Sequence, residues 1–213
     1  MGVYCENSTE QTLSSSYQTN FNGILSWLTS DARTSKGYNY AISTGAAAND
    51  TVYCLYDCQG DVDRSFCQFC LSASTNELVR RCPNSVSAII WYDFCFIQYS
   101  NQNFISNFST TLFRYDILGR KNISNPTGVN ATENYMRSLI RIATMTSQLN
   151  DMGEFSLSNG EKRYGLVQCT RYLGDDKCAQ CLEDLLERVH ERCAKKIRMA
   201  VCTVFGDHVR ESS

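Results

Sequence analysis

The sequence predicts an α+β fold with antiparallel sheets, present as two tandem copies of one domain. Helical and strand-like segments follow one another without the strict alternation of a parallel α/β protein. The composition is that of a folded globular chain, since 43% of the 213 residues are apolar and 20% are charged. Four cysteines recur at one spacing: Cys58, Cys67, Cys70 and Cys82 return 111 positions later as Cys169, Cys178, Cys181 and Cys193.

The repeat predicts a first domain at residues 1–115 and a second, shorter domain at residues 116–213. The boundary is placed near Asp116 to Pro126, where glycine, asparagine and proline interrupt the pattern. Cys95 matches Cys202 at a spacing of 107 rather than 111. We therefore expect the second copy to lack residues between its last two cysteines.

Each copy is predicted to contain two helices. Apolar residues recur at helical spacing in the first helix of each copy. They are Phe21, Ile24, Leu25 and Leu28 in the first copy and Met136, Leu139, Ile140 and Ala143 in the second. A further helix follows each Cys-x-x-Cys pair, from Cys67 to Leu78 and from Cys178 to Val189.

Runs rich in apolar, aromatic and β-branched residues predict the strands. They are Tyr38 to Ser43, Val52 to Cys58, Ala88 to Tyr99, Leu112 to Tyr115, Arg163 to Cys169 and Ile197 to Phe205. The run from Ala88 to Tyr99 is apolar on both faces, which predicts cover on both sides. Helices would cover one face and the partner copy the other; the alternative is an exposed aromatic binding surface.

Cysteine content and glycosylation motifs predict an extracellular protein. Twelve cysteines suit an oxidising compartment. Five Asn-x-Ser/Thr motifs have their acceptors at Asn7, Asn49, Asn107, Asn122 and Asn130. No stretch approaches the ~18 apolar residues of a membrane span, and the chain opens without a signal peptide, which we expect to have been removed. Whether an anchor downstream of this sequence holds the protein at the cell surface stays open.

No feature of the sequence predicts an enzyme, a metal site or a cofactor. A zinc site needs two nearby ligand pairs, whereas these pairs lie 111 residues apart, with His190 and His208 as the only histidines. A thioredoxin-like site expects a βαβ context that is absent. The acidic run Asp57, Asp61 and Asp63 lacks the pattern of a calcium loop. Net charge is −2, which predicts no nucleic-acid partner. Disulfide bonding is the favoured use of the cysteines.

The spacing Cys-x8-Cys-x2-Cys in both copies resembles the ginkbilobin-homologous (stress-antifungal) domain of plants. The segments VYCLYDCQGDV and CFIQYS in the first copy, and YGLVQC and CAQCL in the second, carry the same resemblance. The family includes antifungal seed proteins, tandem-domain secretory proteins, plasmodesmata-located proteins and ectodomains of cysteine-rich receptor-like kinases. The resemblance implies two helices packed on a five-stranded antiparallel sheet in each copy, stapled by disulfides.

The resemblance also implies a disulfide pairing. The implied bonds are Cys5–Cys82, Cys58–Cys67, Cys70–Cys95, Cys169–Cys178 and Cys181–Cys202. Cys54, which falls where the second copy and usually the family have glycine, is left over. So is Cys193, because Asp116 stands where its partner would be. We hypothesise that Cys54 and Cys193 bond each other and join the domains; two free or capped thiols, or an intermolecular bridge, stay open.

Two kinds of partner are considered. Some family members bind mannose through Asn, Arg and Glu at positions that here hold Glu6, Ile89 and Ser100, so mannose binding in that manner is not expected. Protein recognition suits a rigid, disulfide-braced body. A basic cluster near the end of the second copy is either a solvated face or a site for an acidic protein or an anionic cell-wall glycan. Its residues are Arg192, Lys195, Lys196 and Arg198.

The function expected from the sequence is that of a secreted, non-enzymatic protein of the plant apoplast, acting in defence or signalling through protein or glycan binding. One alternative is the ectodomain of a membrane-anchored receptor-like kinase or plasmodesmata-located protein. A second alternative is a mannose-binding antifungal lectin. We expect no membrane span in this chain.

Overall fold

A computed structural model describes residues 1–6, 13–105, 114–118, 126–172, 174–193, 199–203 and 208–212. Side chains at 114–118, 126–127, 188–193, 199–203 and 208–212 are not part of this description. The chain divides into two compact units, Met1–Thr111 and Leu112–Ser213. Within the described ranges, no helix is long and apolar enough to cross a membrane.

The first unit has two helices on a five-stranded sheet among its described residues. The strands are β1 (Gly2–Glu6), β2 (Tyr38–Ser43), β3 (Val52–Cys58), β4 (Ser87–Trp91) and β5 (Cys95–Ser100), and the helices are α1 (Ser15–Asp31) and α2 (Arg64–Arg81). A short 3-10 helix spans Ala48–Asp50. All strand pairs are antiparallel, in the order β1-β4-β5-β3-β2.

The second unit repeats this topology. Its strands are β6 (Arg114–Leu118), β7 (Asn150–Ser156), β8 (Lys162–Gln168), β9 (Met199–Thr203) and β10 (His208–Ser212), and its helices are α3 (Pro126–Ala143) and α4 (Asp175–Cys193). The order β6-β9-β10-β8-β7 matches the first sheet strand for strand. The predicted α+β class, with two helices and five antiparallel strands in each copy, is confirmed.

The first unit ends at Thr111, four residues before the predicted boundary between residues 115 and 116. The reason is β6, which spans Arg114–Leu118 and pairs with β9 of the second unit. A boundary after Tyr115 would cut through this strand.

The predicted single strand from Ala88 to Tyr99 is wrong, because the segment turns back on itself. The Tyr92 N–H donates to the Cys95 carbonyl at 2.8 Å, which closes a hairpin with Asp93 and Phe94 at its tip. The flanking strands β4 and β5 pair antiparallel. An uninterrupted apolar run hid the turn, since Asp93 is the only turn-forming residue in it.

Three strands have no counterpart in the strands read from the sequence: β1, β7 and β10. Strand β7 contains Asn150, Asp151 and Gly153, which disfavour strands, yet it pairs with β8 along its whole length. Strand β9, the topological counterpart of β4, carries Cys202. Cys95 lies on β5. Cys202 and Cys95 match in the sequence, but they lie on strands that are not counterparts in the two sheets.

Both helices of the first unit cover one face of the sheet. Buried α1 and α2 residues pack with the inward-facing residues of β3, β4 and β5 in one core cluster. Ser14 and Asp63 begin the helices, each accepting a hydrogen bond from the backbone N–H three residues on. On the opposite face Ile89, Trp91 and Phe96 are buried as well. Both faces of β4 and β5 therefore carry buried residues, which argues against an exposed aromatic surface on these residues. That the partner copy covers the second face stays a prediction.

One register position differs between the units where the first helix crosses the sheet. In the second unit Gly153 pairs with Gly165, and a Cβ on Gly165 would lie 2.7 Å from Leu139 Cδ1 of α3. The helix therefore packs directly on the sheet backbone. In the first unit the paired residues are Ala41 and Cys54, so side chains fill the corresponding place.

Candidate functional site

Three disulfides fix helix α2 to the sheet of the first unit. Cys58–Cys67 ties its first turn to the end of β3, and Cys70–Cys95 ties the next turn to the start of β5. Cys5–Cys82 ties its C-terminal end to β1. In the second unit Cys169–Cys178 joins β8 to α4. These four bonds are among those that the resemblance implies; for the fifth, the side chain of Cys202 lies outside the described residues.

A cluster of three phenylalanines lies on this pinned helix and the adjacent hairpin. The Phe66 ring meets Phe94 edge to face, with centroids 5.0 Å apart, and meets Phe69 at 6.3 Å. Phe66 is 43% exposed and Phe69 is 69% exposed, whereas Phe94 packs partly against the core. We call Phe66, Phe69 and Phe94 the phenylalanine cluster.

Each phenylalanine of the cluster directly precedes a bonded cysteine. Phe66 precedes Cys67, Phe69 precedes Cys70 and Phe94 precedes Cys95. The disulfides therefore hold the backbone on which the rings are mounted. An aromatic surface of this kind loses little conformational freedom when it binds a partner.

The second unit carries the same helix without the aromatic residues. Lys177 and Gln180 occupy the positions of Phe66 and Phe69 at the spacing of 111, and both are exposed. The fold thus does not require phenylalanine at either position. Sequence reasoning missed the cluster; comparing CQFC with CAQC between the copies could have singled out Phe69, but not its grouping with Phe66 and Phe94.

Acidic residues precede helix α2 and adjoin Phe94 in the sequence. Asp61 and Asp63 precede α2, and Asp93 lies at the tip of the hairpin beside Phe94; all three are exposed. Two opposing charges are Arg64 and the N-terminal ammonium, which lies 3.9 Å from Asp93 Oδ1. The Asp63 carboxylate accepts a hydrogen bond from the Phe66 N–H at 2.8 Å, so one of the acidic groups is fixed beside the rings.

The positions of the family's mannose site do come together on one sheet face. Glu6 pairs with Ser87, which pairs with Ser100, and Ile89 lies two residues along β4 on the same face. Ile89 is only 2% exposed and offers no hydrogen-bonding group. The geometry of the site is present, but the donors of the family site are not.

Cys54 is a free thiol on the helix-facing side of β3, with 0% exposure. It belongs to the core cluster of the first unit, and burial raises the pKa of its thiol. The hypothesised bond to Cys193 is not formed at Cys54, because its sulfur is enclosed by the core. The side chain of Cys193 lies outside the described residues.

The remaining predicted sites divide between described and undescribed residues. Asn49 and Asn130 are exposed, on the 3-10 helix and on α3 respectively. The other predicted acceptors, Asn7, Asn107 and Asn122, lie outside the described residues. Of the basic cluster, only the backbone of Arg192 is described, as part of α4; Lys195, Lys196 and Arg198 lie outside.

The perturbed titratable groups of the first core have structural roles. Burial raises the pKa of Tyr17 and of Tyr99. Their hydroxyls donate to the carbonyls of Val86 and Ser85 at 2.9 and 3.0 Å. In the part of the chain that the structure describes, no three His, Cys, Asp or Glu side chains are grouped to hold a metal ion.

Two copies of one disulfide-braced α+β domain, with the same strand order in each, place the chain in the class of cysteine-rich repeat proteins. A sequence profile described as "salt stress response/antifungal" matches residues 4–102 and 121–207. The chain belongs to this family, which confirms the resemblance seen in the sequence.

Relatives and solved structures agree with this assignment. The antimicrobial ginkbilobin-2-like protein of Castanea crenata is 31% identical, over 91% of this chain and 79% of the relative. Cysteine-rich repeat secretory protein 38 of Arabidopsis thaliana is 35% identical, over 87% of this chain and 73% of the relative. The tandem DUF26 ectodomain of the Arabidopsis thaliana cysteine-rich receptor-like protein PDLP8 superposes with a TM-score of 0.84 at 19% identity, over 100% of this chain and 97% of that one.

A kinase relative matches over a small part of its length. Putative cysteine-rich receptor-like protein kinase 20 of Arabidopsis thaliana is 31% identical over 96% of this chain, which spans 31% of the kinase. The relatives are thus secretory proteins and proteins with an extracellular receptor domain, and the predicted extracellular location is confirmed.

Proposed function

We propose that this protein is a secreted, non-enzymatic binding protein that acts in plant defence or signalling by recognising another protein through the phenylalanine cluster. The observation that carries the proposal is the exposure of Phe66 and Phe69 on a helix pinned by two disulfides. Aromatic residues, phenylalanine among them, are enriched in protein interfaces, and a rigid support reduces the conformational freedom lost on binding.

The second unit supports a binding role over a folding role for these residues. The same helix is built there with Lys177 and Gln180, which are compatible with solvent. An exposed group of large apolar side chains on a soluble domain marks an interaction site more often than a single exposed apolar residue does. A partner that removes them from water would supply the favourable free energy.

The charges around the cluster define the chemistry of the partner. Asp61, Asp63 and Asp93 outnumber the two positive groups, which are Arg64 and the N-terminal ammonium 3.9 Å from Asp93 Oδ1. The surface therefore has an excess of acidic groups around an apolar centre. Charge complementarity favours a protein segment with an apolar anchor flanked by Lys or Arg.

Glycan recognition at the family's mannose positions is the weaker candidate. Ile89 is buried and apolar where the family site has Arg, and Glu6 and Ser100 replace the other two groups. A sugar there would lose the hydrogen bonds that fix it. If the chain is instead the ectodomain of a membrane-anchored receptor, it would use the phenylalanine cluster in the same way. The sequence of the full-length transcript distinguishes a secreted protein from such a receptor.

Selection from a displayed peptide library tests the proposal with a defined probe. Peptides are selected on the wild-type protein and counter-selected on Phe66→Lys/Phe69→Gln, which places the second unit's residues on the first unit. We expect enriched peptides with an apolar anchor between basic residues, and at least about tenfold weaker binding to the variant. Binding should also weaken in Asp61→Asn/Asp93→Asn and at high salt.

Gln180→Ala is the matched control, because Gln180 holds the position of Phe69 in the second unit. It should bind the selected peptides like wild type. Recovery of no peptide that distinguishes wild type from Phe66→Lys/Phe69→Gln would contradict protein recognition through this cluster. Recovery of acidic peptides would contradict the partner chemistry.

A further inference from the structure

A cavity of about 250 Å³ lies beside the 3-10 helix of the first unit, apart from the phenylalanine cluster. Its lining includes Leu13, Tyr17 and Val86, which are apolar or aromatic, and the polar residues Ser14, Asn49, Asp50 and Asn101. Pockets for drug-sized ligands begin at about 300 Å³. This cavity therefore suits one small ring with both polar and apolar faces.

The polar side of the cavity has unused hydrogen-bonding capacity. The side-chain amides of Asn49 and Asn101 form no hydrogen bond with any residue that the structure describes. The backbone N–H of Asn101 donates to the Val86 carbonyl at 3.0 Å, which fixes the residue while its amide remains available. A pyranose presents hydroxyl groups at its edge and C–H groups on its face, which match this lining.

The turn that carries Asn49 is held firmly against α1. The Ser14 hydroxyl donates to Asp50 Oδ1 at 2.5 Å, and Asn20 Nδ2 donates to the Asp50 carbonyl at 2.8 Å. A Cβ on Gly45 would lie 2.2 Å from Asp50 Cβ, so the chain packs tightly on the other side of the turn. Asn49 is thereby fixed at the wall of the cavity.

Asn49 is also the acceptor of the motif Asn49-Asp50-Thr51. We propose that the first N-acetylglucosamine of an N-glycan on Asn49 folds back into this cavity and contacts Asn101. A sugar tethered to the cavity wall has a high effective concentration there, so weak contacts suffice to hold it. The glycan then becomes part of the packing between the start of α1, the start of β4 and the end of β5.

The covalent step belongs to the host's oligosaccharyltransferase and its lipid-linked pyrophosphate sugar donor. Asn49 Nδ2 forms the bond to the anomeric carbon, the bond from that carbon to the pyrophosphate oxygen breaks, and one amide proton leaves. The seating of the sugar afterwards is non-covalent. It does not depend on the phenylalanine cluster or its partner.

The test compares glycoforms of the full chain secreted from a eukaryotic host. Peptide mass mapping first measures occupancy at Asn49. An endoglycosidase then trims each glycan to a single N-acetylglucosamine, and hydrogen exchange is followed by mass spectrometry. We expect peptides that contain Leu13 to Tyr17 and Val86 to Asn101 to exchange roughly fivefold more slowly than in Thr51→Ala, which lacks the acceptor motif.

Asn101→Leu separates sugar contact from a general effect of glycosylation. It keeps the backbone bond to Val86 and should leave Asn49 occupied while abolishing the slower exchange. If Thr51→Ala is not secreted, wild-type protein deglycosylated completely by an amidase replaces it as the unglycosylated reference. Its hydrogen exchange in the same peptides should be as fast as that expected for Thr51→Ala. An unoccupied Asn49, or equal exchange with and without the single sugar, would overturn the proposal.

Discussion

Cys54 and Gly165 occupy equivalent positions in the two sheets. They show how the size of one side chain changes the packing of a helix on otherwise similar domains. Each is paired with a small neighbour, Ala41 and Gly153 respectively. In the second unit α3 side chains reach the glycines, whereas in the first unit Cys54 fills the corresponding core. The cysteine thus acts as a packing residue, which agrees with free cysteine behaving as a small apolar side chain.

Native alkylation tests this assignment of Cys54. With its thiol fully buried and its pKa raised by burial, Cys54 should resist iodoacetamide in native protein and react fully in denaturant. Peptide mapping of the alkylated, non-reduced protein measures both states. A Cys54 peptide linked to Cys193 would restore the interdomain bond and refute the buried-thiol assignment.

Gly165→Ala tests the close approach of α3 to the second sheet. The new Cβ would lie 2.7 Å from Leu139 Cδ1 and 2.8 Å from Met136 Sδ, both on buried side chains. We expect overpacking to lower the free energy of unfolding by about 1–2 kcal/mol in urea.

The matched control is Gly23→Ala, on α1. A Cβ there would meet nothing within 4 Å, and alanine is the better helix former, so stability should rise by about 0.5–1 kcal/mol. If Gly165→Ala and Gly23→Ala changed the free energy of unfolding in the same direction, the packing described here would be contradicted.

At the scale of elements, α2 is the most constrained part of the first unit. Its three disulfides close loops of very different length, with sequence separations of 77 for Cys5–Cys82, 25 for Cys70–Cys95 and 9 for Cys58–Cys67. Longer loops lose more chain entropy in the unfolded state when they are cross-linked.

Removing each disulfide by paired Cys→Ala substitution should rank the bonds by loop length. We expect losses of about 4–5 kcal/mol for Cys5–Cys82, about 3.5 kcal/mol for Cys70–Cys95 and about 2.5 kcal/mol for Cys58–Cys67. Urea unfolding of the three variants provides the comparison. A larger loss for Cys58–Cys67 than for Cys5–Cys82 would show that something other than loop entropy controls these bonds.

Periodicity predicted the helices well and the strands less well. Residues such as Leu28 and Leu139 recur at helical spacing because one helix face is buried, and that signal is local. Strand β7 has no such signal, because pairing with β8 overrides the preferences of Asn150 and Gly153. The β4–β5 hairpin was missed because its residues are buried on both faces, which removes the alternation that marks a strand end.

At the scale of the molecule, one scaffold appears twice with different surfaces. The repeat of cysteines could be read from the sequence because two copies of one domain place equivalent cysteines at one fixed spacing. The phenylalanine cluster could not, because Phe94 comes next to Phe66 only through the Cys70–Cys95 bond and the hairpin. The absence of the mannose-site groups was predictable, since it depends on residue identity at Glu6 and Ile89 alone.

The first unit should fold without the second. Its three disulfides and its core cluster lie entirely within residues 1–111. We expect residues 1–111, secreted from an oxidising host, to form the same three bonds, as measured by peptide mapping without reduction, and to give a cooperative urea transition. A mixture of disulfide isomers would show that the first unit depends on the rest of the chain.

The enclosure of Cys54 has a consequence for the life of the protein in an oxidising compartment. When the first unit opens, the thiol returns to an ordinary pKa of about 8.5, and its thiolate can attack any of the three neighbouring disulfides. Each opening event then risks exchange into a mispaired form that cannot close again. The lifetime of the native protein in such a compartment therefore depends on how rarely its core opens, because a single buried sulfur can turn repeated opening into a slow, irreversible loss.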